Sequence, residues 1–290
     1  MNTAVFPDPE AVTANVLAVH RHLGGALMPE PVPAPDGAWL VWDGSSPWRA
    51  WRRAPGAPLA GAAASSKALF AAGFLLGRFH TRLADLDAAT LTETLPNFHD
   101  PGRRLDQLRA AIAADPCGRV AAVQPEIAEA LAGERLVAVA ADLGARVPRR
   151  VAHFDAKLDN ILFARPRPRA RLEAVGLVDF DTVMPGAWFW DVGDLLRSAS
   201  SPAAEDDPER SVAVPALYRA VLDGSTGPVP AEREAVGHAG AIVTYEQAVR
   251  FLTDWIAGDV YYRISRPEQN LDRARAQFRL LASMPLSRIG

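Results

Sequence analysis

Cysteine is all but missing from this sequence. Cys117 is the only one in 290 residues, so neither an intrachain disulfide nor a cysteine-based metal cluster can form. A chain built without disulfides suits a reducing compartment, and the cytoplasm is the expected location. Lysine is nearly as scarce: Lys67 and Lys157 stand alone, and arginine supplies the other basic groups. No uncharged apolar stretch of about 18 residues occurs, which argues against a membrane-spanning helix. The opening M-N-T-A-V-F-P-D-P-E has no basic segment followed by an apolar run, so no secretory leader is expected there. A positive excess is also lacking: the formal net charge of -3 gives no case for nucleic acid or an anionic membrane as partner.

What is present is an ordinary globular composition, 49% hydrophobic and 22% charged, long enough for one large domain or two lobes. The chemistry concentrates in residues 151–181. There V-A-H-F-D-A-K-L-D-N-I-L-F is followed by a proline-spaced basic insert and then by L-E-A-V-G-L-V-D-F-D. Ile161 to Phe163 and Val175 to Val178 are short apolar runs of the kind that form strands. Joined by a loop, two such strands place Asp155 and Asn160 at one end with Asp179 beside them. Oxygen donors of this type suit Mg2+, which takes one or two protein groups and completes its shell with substrate phosphates. Phosphoryl transfer needs that metal, an aimed hydroxyl and positive charge near the phosphate oxygens. Asp155 can accept the hydroxyl proton, Lys157 can neutralise phosphate charge, and Asn160 and Asp179 can hold the metal. Asp181 either adds to the metal site or fixes the turn at Thr182.

The pattern H-x-D-x-K-x-x-N followed by a strand ending in Asp resembles the catalytic loop and metal site of the protein-kinase-like fold. With V-D-F-D-T-V-M-P-G at 178–186 it resembles the aminoglycoside phosphotransferase superfamily. Further stretches make it most similar to the N-acetylhexosamine 1-kinase group: F-P-D-P-E-A-V at 6–12, L-T-E-T-L-P-N-F-H-D at 91–100 and R-F-L-T-D-W-I-A-G-D-V-Y-Y at 250–262. The resemblance implies an α+β, two-lobed protein-kinase-like fold, with a truncated small N-terminal lobe at 1–55 and a large, mostly helical lobe at 56–290. It implies a phosphotransferase with an alcohol acceptor, using ATP and Mg2+. The expected reaction is phosphorylation of the anomeric hydroxyl of an N-acetylhexosamine. The alternatives are a kinase for another small alcohol, such as an aminoglycoside, and a truncated non-catalytic relative that binds a sugar or a partner. It also implies a catalytic set of His153, Asp155 and Lys157, nucleotide contacts from Trp51 and Arg53 with Lys157, and an acid near 191 that ties down the catalytic loop. Asp191 is that acid, unless it and Asp194 merely favour the helix N-terminus.

Kinases of this fold open with glycine-rich strands and a third strand bearing a phosphate-pairing group, and nothing here matches either. Weak ATP affinity and low kinase activity are therefore expected of residues 1–290. Apolar surface is expected at Trp39, Val41 and the Val12–Val16–Val19 stripe.

The remaining elements read as follows. Asp8-Pro9-Glu10 starts a helix that Gly24-Gly25 stops. Residues 38–42 and 48–52 read as a hairpin. Helices are expected from Ser65 or Ser66 to about 86, at 103–114, 125–143, 188–198, 209–222, 231–257 and 267–284. Gly73 and Gly77, one turn apart, allow a second helix close approach. His80 reads as structural, and His99 either fixes a loop or touches a sugar. The basic run at 164–171 reads as an exposed connection or a site for an acidic partner. In the long helix, Tyr245, Glu246, Arg250 and Asp254 can share a face. Tyr245, Arg250 and Asp254 are thus candidate sugar contacts alongside Asp155, although buried ion pairs follow the same spacing.

Overall fold

A computed structural model describes residues 1–59, 64–165, 172–225 and 230–284, with only the backbone of 230 and 231. The basic run is described only through Arg165, and its remainder, 166–171, lies outside the described residues.

Helix α1 (Pro9–His22) begins as the Asp-Pro-Glu triplet predicts: Asp8 Oδ1 accepts the Ala11 N–H at 2.9 Å. Its valines are not exposed, contrary to expectation. Val12, Val16 and Val19 are buried because α1 lies on the segment around Phe180–Thr182 and joins a core with Leu69, Phe79 and Phe180. The expected hairpin at 38–52 is two antiparallel pairs. Strand β2 (Val41–Asp43) pairs with β3 (Ser46–Trp48), while β1 (Pro31–Val32) pairs with β4 (Ala50–Trp51). Trp39, Val41, Trp42 and Trp48 are exposed here.

Helix α2 (Ser66–Arg82), capped by Ser65, packs on α7 (Pro215–Gly224). The contact is close at Gly73, where a Cβ would fall 2.4 Å from the Val221 carbonyl oxygen. Helix α3 (Pro101–Ala114) precedes α4 (Gln124–Ala132) and α5 (Arg135–Arg146), which replace the single helix expected at 125–143. The break falls at Gly133, over which the Tyr245 ring packs. Helix α7 starts six residues later than expected, since Pro215 occupies its first turn and Val214 N–H donates to the Ser200 carbonyl instead.

Strand β5 (Arg150–Ala152) leads to β6 (Ile161–Ala164) and β7 (Glu173–Leu177), an antiparallel pair in register Ile161↔Leu177. Strand β8 (Met184–Gly186) returns to pair with β5 and enters α6 (Phe189–Ala199). The long α8 (Pro230–Ala257) packs against α3, α5, α6 and α9 (Gln269–Ser283). Two apolar cores result, and residues 152–158 pass from one to the other. Ala156 and Leu158 enter the core under α1 and α2, whereas Ala152 and Phe154 enter the core around α8. Burial on both sides fixes the loop's path before any polar contact is counted.

Candidate active site

The loop between β5 and β6 is held mostly through its backbone. Asp191, in the first turn of α6 and wholly buried, accepts the N–H of His153 at 2.8 Å and of Phe154 at 2.7 Å. His80 Nε2 meets the same carboxylate at 2.8 Å. His153 Nε2 lies 3.0 Å from the Val178 carbonyl, Thr182 Oγ1 donates to the His153 carbonyl at 2.6 Å, and Leu158 N–H donates to Ser198 Oγ at 2.8 Å. His153 is therefore a buried strut linking two loops. Its ring faces Phe79 and Phe180, and it does not line either of the two clefts described below. That corrects its placement in the catalytic set.

This frame leaves three polar side chains converging. Lys157 Nζ donates to both Asp155 carboxylate oxygens, at 2.7 and 3.0 Å. Asn160 Nδ2 donates to the Asp155 carbonyl and to its Oδ2, both at 2.8 Å, which leaves the amide oxygen as the Asn160 atom available to a cation. Burial and the nearby Asp194 carboxylate push the Asp155 carboxyl above its ordinary value, and Lys157 offsets part of that rise. Burial acts to lower the Lys157 ammonium, but Asp155, Asp194 and Asp179 outweigh it and raise the value, so Lys157 stays charged.

Asp179 follows β7. The Val178 N–H donates to the Asn160 carbonyl at 2.9 Å, which sets residues 160 and 179 side by side. Asp179 has φ +66° and Phe154 φ +64°. Such left-handed residues cost about 1–3 kcal/mol each and persist where the surroundings dictate them. The Phe154 ring packs directly on Gly186, where a Cβ would lie 2.1 Å from it.

Two clefts flank this cluster. One, of about 520 Å³, is lined by Trp48, Arg49, Trp51, Arg53, Asp179 and Asp181, so it contains two of the three residues expected to touch a nucleotide, while the third, Lys157, lines the other cleft. The other, of about 600 Å³, is lined by His99, Asp155, Lys157, Arg250, Tyr261 and Tyr262. Asp155 and Asp179 thus face different clefts across the 160–178 hydrogen bond. Asp181 shares the first cleft, but its carboxylate is already paired with the Arg49 guanidinium.

The long helix needs two corrections. Tyr245 is fully buried on the far side of α8, its hydroxyl donating to the Ala130 carbonyl at 2.8 Å, and it lines neither cleft. Asp254 accepts the N–H groups of Val260 (3.0 Å), Tyr261 (2.7 Å) and Tyr262 (2.9 Å) and the Asn270 amide (2.9 Å). It shapes the turn that presents the two tyrosines. Arg250 does reach the second cleft. Its guanidinium carbon lies 5.5–5.8 Å from the ring centroids of Phe98, Tyr261 and Tyr262, and among the described residues it makes no ion pair within 4.0 Å. His99 fixes a loop: it bonds Glu246 at 3.0 Å and the Phe154 carbonyl at 3.1 Å. Arg49 and the aromatic wall are functional candidates that the motifs do not single out. A Trp-Arg pair between short strands carries no signal of its own, while Tyr261-Tyr262 stands inside the 250–262 motif.

This architecture has solved counterparts. A microcompartment-associated aminopropanol kinase superposes with a TM-score of 0.60 at 18% identity, covering 94% of this chain and 79% of that one. An amicoumacin kinase in complex with AMP-PNP and Ca2+ gives 0.58 at 13% identity, covering 98% and 81%. A choline kinase from Streptococcus pneumoniae gives 0.53 at 14%, covering 94% and 80%. Identities this low speak for a shared kinase-like fold. The sequence carries the lineage further, because residues 5–235 match the profile of the phosphotransferase enzyme family, APH. With that match spanning the loop and the convergent Asp155, Lys157, Asn160 and Asp179, the chain belongs to the APH phosphotransferase enzyme family.

Proposed function

We propose that the chain transfers the terminal phosphoryl group of ATP to the anomeric hydroxyl of an N-acetylhexosamine. ATP occupies the cleft at Trp51 and Asp179, and the sugar occupies the cleft at Asp155 and Arg250. The Asn160 amide oxygen and the Asp179 carboxylate are hard donors that fit Mg2+, whose shell the phosphates complete. Bound there, Mg2+ neutralises charge on the phosphate oxygens. Asp155 accepts the proton of the attacking hydroxyl, and Lys157 holds Asp155 in place while its charge faces the transferred group. Asp191 keeps the loop in register through two backbone N–H groups.

The observation that favours a sugar over an amine is Arg250. The aromatic walls that would cradle an ammonium group already hold this guanidinium. A cationic acceptor placed beside it meets repulsion of about 4 kcal/mol at 4 Å and an effective dielectric of 20. Of the cleft's acids, Asp155 is paired with Lys157, and Asp194 and Glu205 with Arg197, which leaves Asp159 as the lining carboxylate outside these pairs. A guanidinium donates well to hydroxyl and carbonyl oxygens, which a polyhydroxylated N-acetyl sugar supplies.

Incubating the protein with Mg-ATP and N-acetylglucosamine, N-acetylgalactosamine, an aminoglycoside or choline tests this. Phosphorus NMR is expected to show sugar 1-phosphate from the first two. Turnover of the amines alone overturns the reading, and sugar binding without ADP release points to the non-catalytic alternative. Within this scheme Lys157→Met lowers turnover far more than sugar affinity, since its charge matters most as the phosphoryl group moves. An equal loss of sugar affinity, measured by calorimetry, assigns Lys157 to substrate binding instead.

A further inference from the structure

We propose that Arg49 is the residue that meets the nucleotide's phosphate groups: a polyphosphate-binding arginine carried at the β3–β4 junction and set in place by Asp181. The inference rests on the reading of the 520 Å³ cleft as the nucleotide side.

Four observations support it. First, the backbone of Arg49 is held from both directions, since Trp48 pairs with Val41 in one ladder and Ala50 with Val32 in the other. Second, its side chain is only 8% exposed although the residue lines the cleft beside Asp179 and Asp181. Third, the guanidinium is half used. Nη2 is paired with Asp181 Oδ1, while Nη1 is buried with no hydrogen-bond partner. A buried N–H without an acceptor is unfavourable, and in native proteins such groups generally find a partner in protein, water or ligand. Fourth, the other basic side chains near this cleft are placed differently. Arg52 and Arg53 are exposed, and Arg52 is already bonded to Glu30 at 2.7 Å. Lys157 is engaged with Asp155, and no lysine occurs before Lys67.

The chemistry matches the remaining donor. A guanidinium is a planar fork that can keep a carboxylate on one edge and offer the other to a phosphate oxygen, and it stays charged at any pH the protein meets. Packing of Arg49 near the Trp51 ring, 5.7 Å from guanidinium carbon to centroid, restrains the fork further. Asp181 then has a definite role: it orients Arg49 and competes mildly with an incoming phosphate for it. In this arrangement Asp181 is a positioning residue and not a ligand of the metal.

Isothermal titration of wild type, Arg49→Met, Arg49→Lys and Asp181→Asn with adenosine, ADP and tripolyphosphate, each with and without Mg2+, tests this. Arg49→Met is expected to lose tenfold or more in affinity for ADP and tripolyphosphate while keeping its affinity for adenosine. Arg49→Lys recovers part of the loss. Asp181→Asn binds metal-free tripolyphosphate as tightly as wild type or more tightly. Unchanged ADP affinity in Arg49→Met overturns the inference, as does an equal loss for adenosine, which signals a collapsed cleft. If Arg49→Met does not fold, Asp181→Asn still decides. Weakened Mg-ADP binding with unchanged metal-free binding makes Asp181 a metal ligand and removes its role here. Failure of the wild type to bind ADP or adenosine at all overturns the nucleotide reading itself, and this inference with it.

Discussion

Asp155→Asn lowers turnover by about 10²–10⁴-fold, the usual range for removal of a general base, with little change in melting temperature. The substitution keeps the shape of the side chain and an oxygen that can still accept from Lys157 or Asn160. What disappears is the capacity to take up the acceptor hydroxyl's proton. A second signature follows from the environment. Burial and Asp194 hold the Asp155 carboxyl above the ordinary carboxylate value, and the reactive form is the ionised one. In the wild type, activity therefore falls as pH drops through this raised value, earlier than an exposed aspartate would require. The residual activity of Asp155→Asn lacks that acidic limb. Turnover followed by ADP release between neutral and acidic pH checks both points. Near-normal turnover in the variant, or an unchanged acidic limb, removes Asp155 from the role of base.

Asp191→Ala carries the largest expected cost in stability, about 3–5 kcal/mol, as for other buried charges that lose a partner. Three groups lose their acceptor together: the N–H of His153, the N–H of Phe154 and the His80 ring. All lie in the interior, where water cannot replace the carboxylate. The pH dependence has a definite sign. Burial acts to raise the Asp191 carboxyl, but the hydrogen bond and charge interaction with His80, together with His153, outweigh burial and lower it. A carboxyl depressed in the folded state contributes stability that is complete above its unfolded value and is lost as pH falls through the folded one. The stability gap between wild type and Asp191→Ala should accordingly narrow in strong acid. Urea midpoints across pH measure this, and amide exchange reports the 153 and 154 N–H groups directly. A loss below about 1 kcal/mol, the net value of one ordinary hydrogen bond, would sink the assignment of Asp191 as the loop's anchor.

Both predictions concern residues legible in the sequence alone. Asp155, Lys157 and Asn160 fall within six positions, and a loop that short brings them together however the rest of the chain packs. Asp179 is legible because the apolar runs on either side of the insert pair as an antiparallel ladder, so its position beside Asn160 follows from register. The helical candidates fare differently. Helix α8 is packed on several sides, by α3, α5, α6 and α9, so its residues are buried nearly all round and the 3.6-residue period does not single out the face that meets a ligand. Tyr245 and Arg250, five positions apart, point about 140° from each other. One anchors α4 and the other enters the cleft. Asp254 shares the Arg250 side but is consumed by the turn that follows it.

The sequence by itself determined the local chemistry: a carboxylate, an ammonium group and further oxygen donors on one short loop and one ladder, where covalent spacing limits the distance between side chains. Only the tertiary structure decided which distant groups complete them. His80 meets Asp191 across 111 positions, His99 meets Glu246 across 147, and Arg49 meets Asp181 across 132. Partners so far apart are brought together by the packing of α2, α6 and α8 and by the strand pairs near the front of the chain. No periodicity in the sequence encodes which buried polar group will face which, because that choice is made by how two apolar cores close on either side of a single loop.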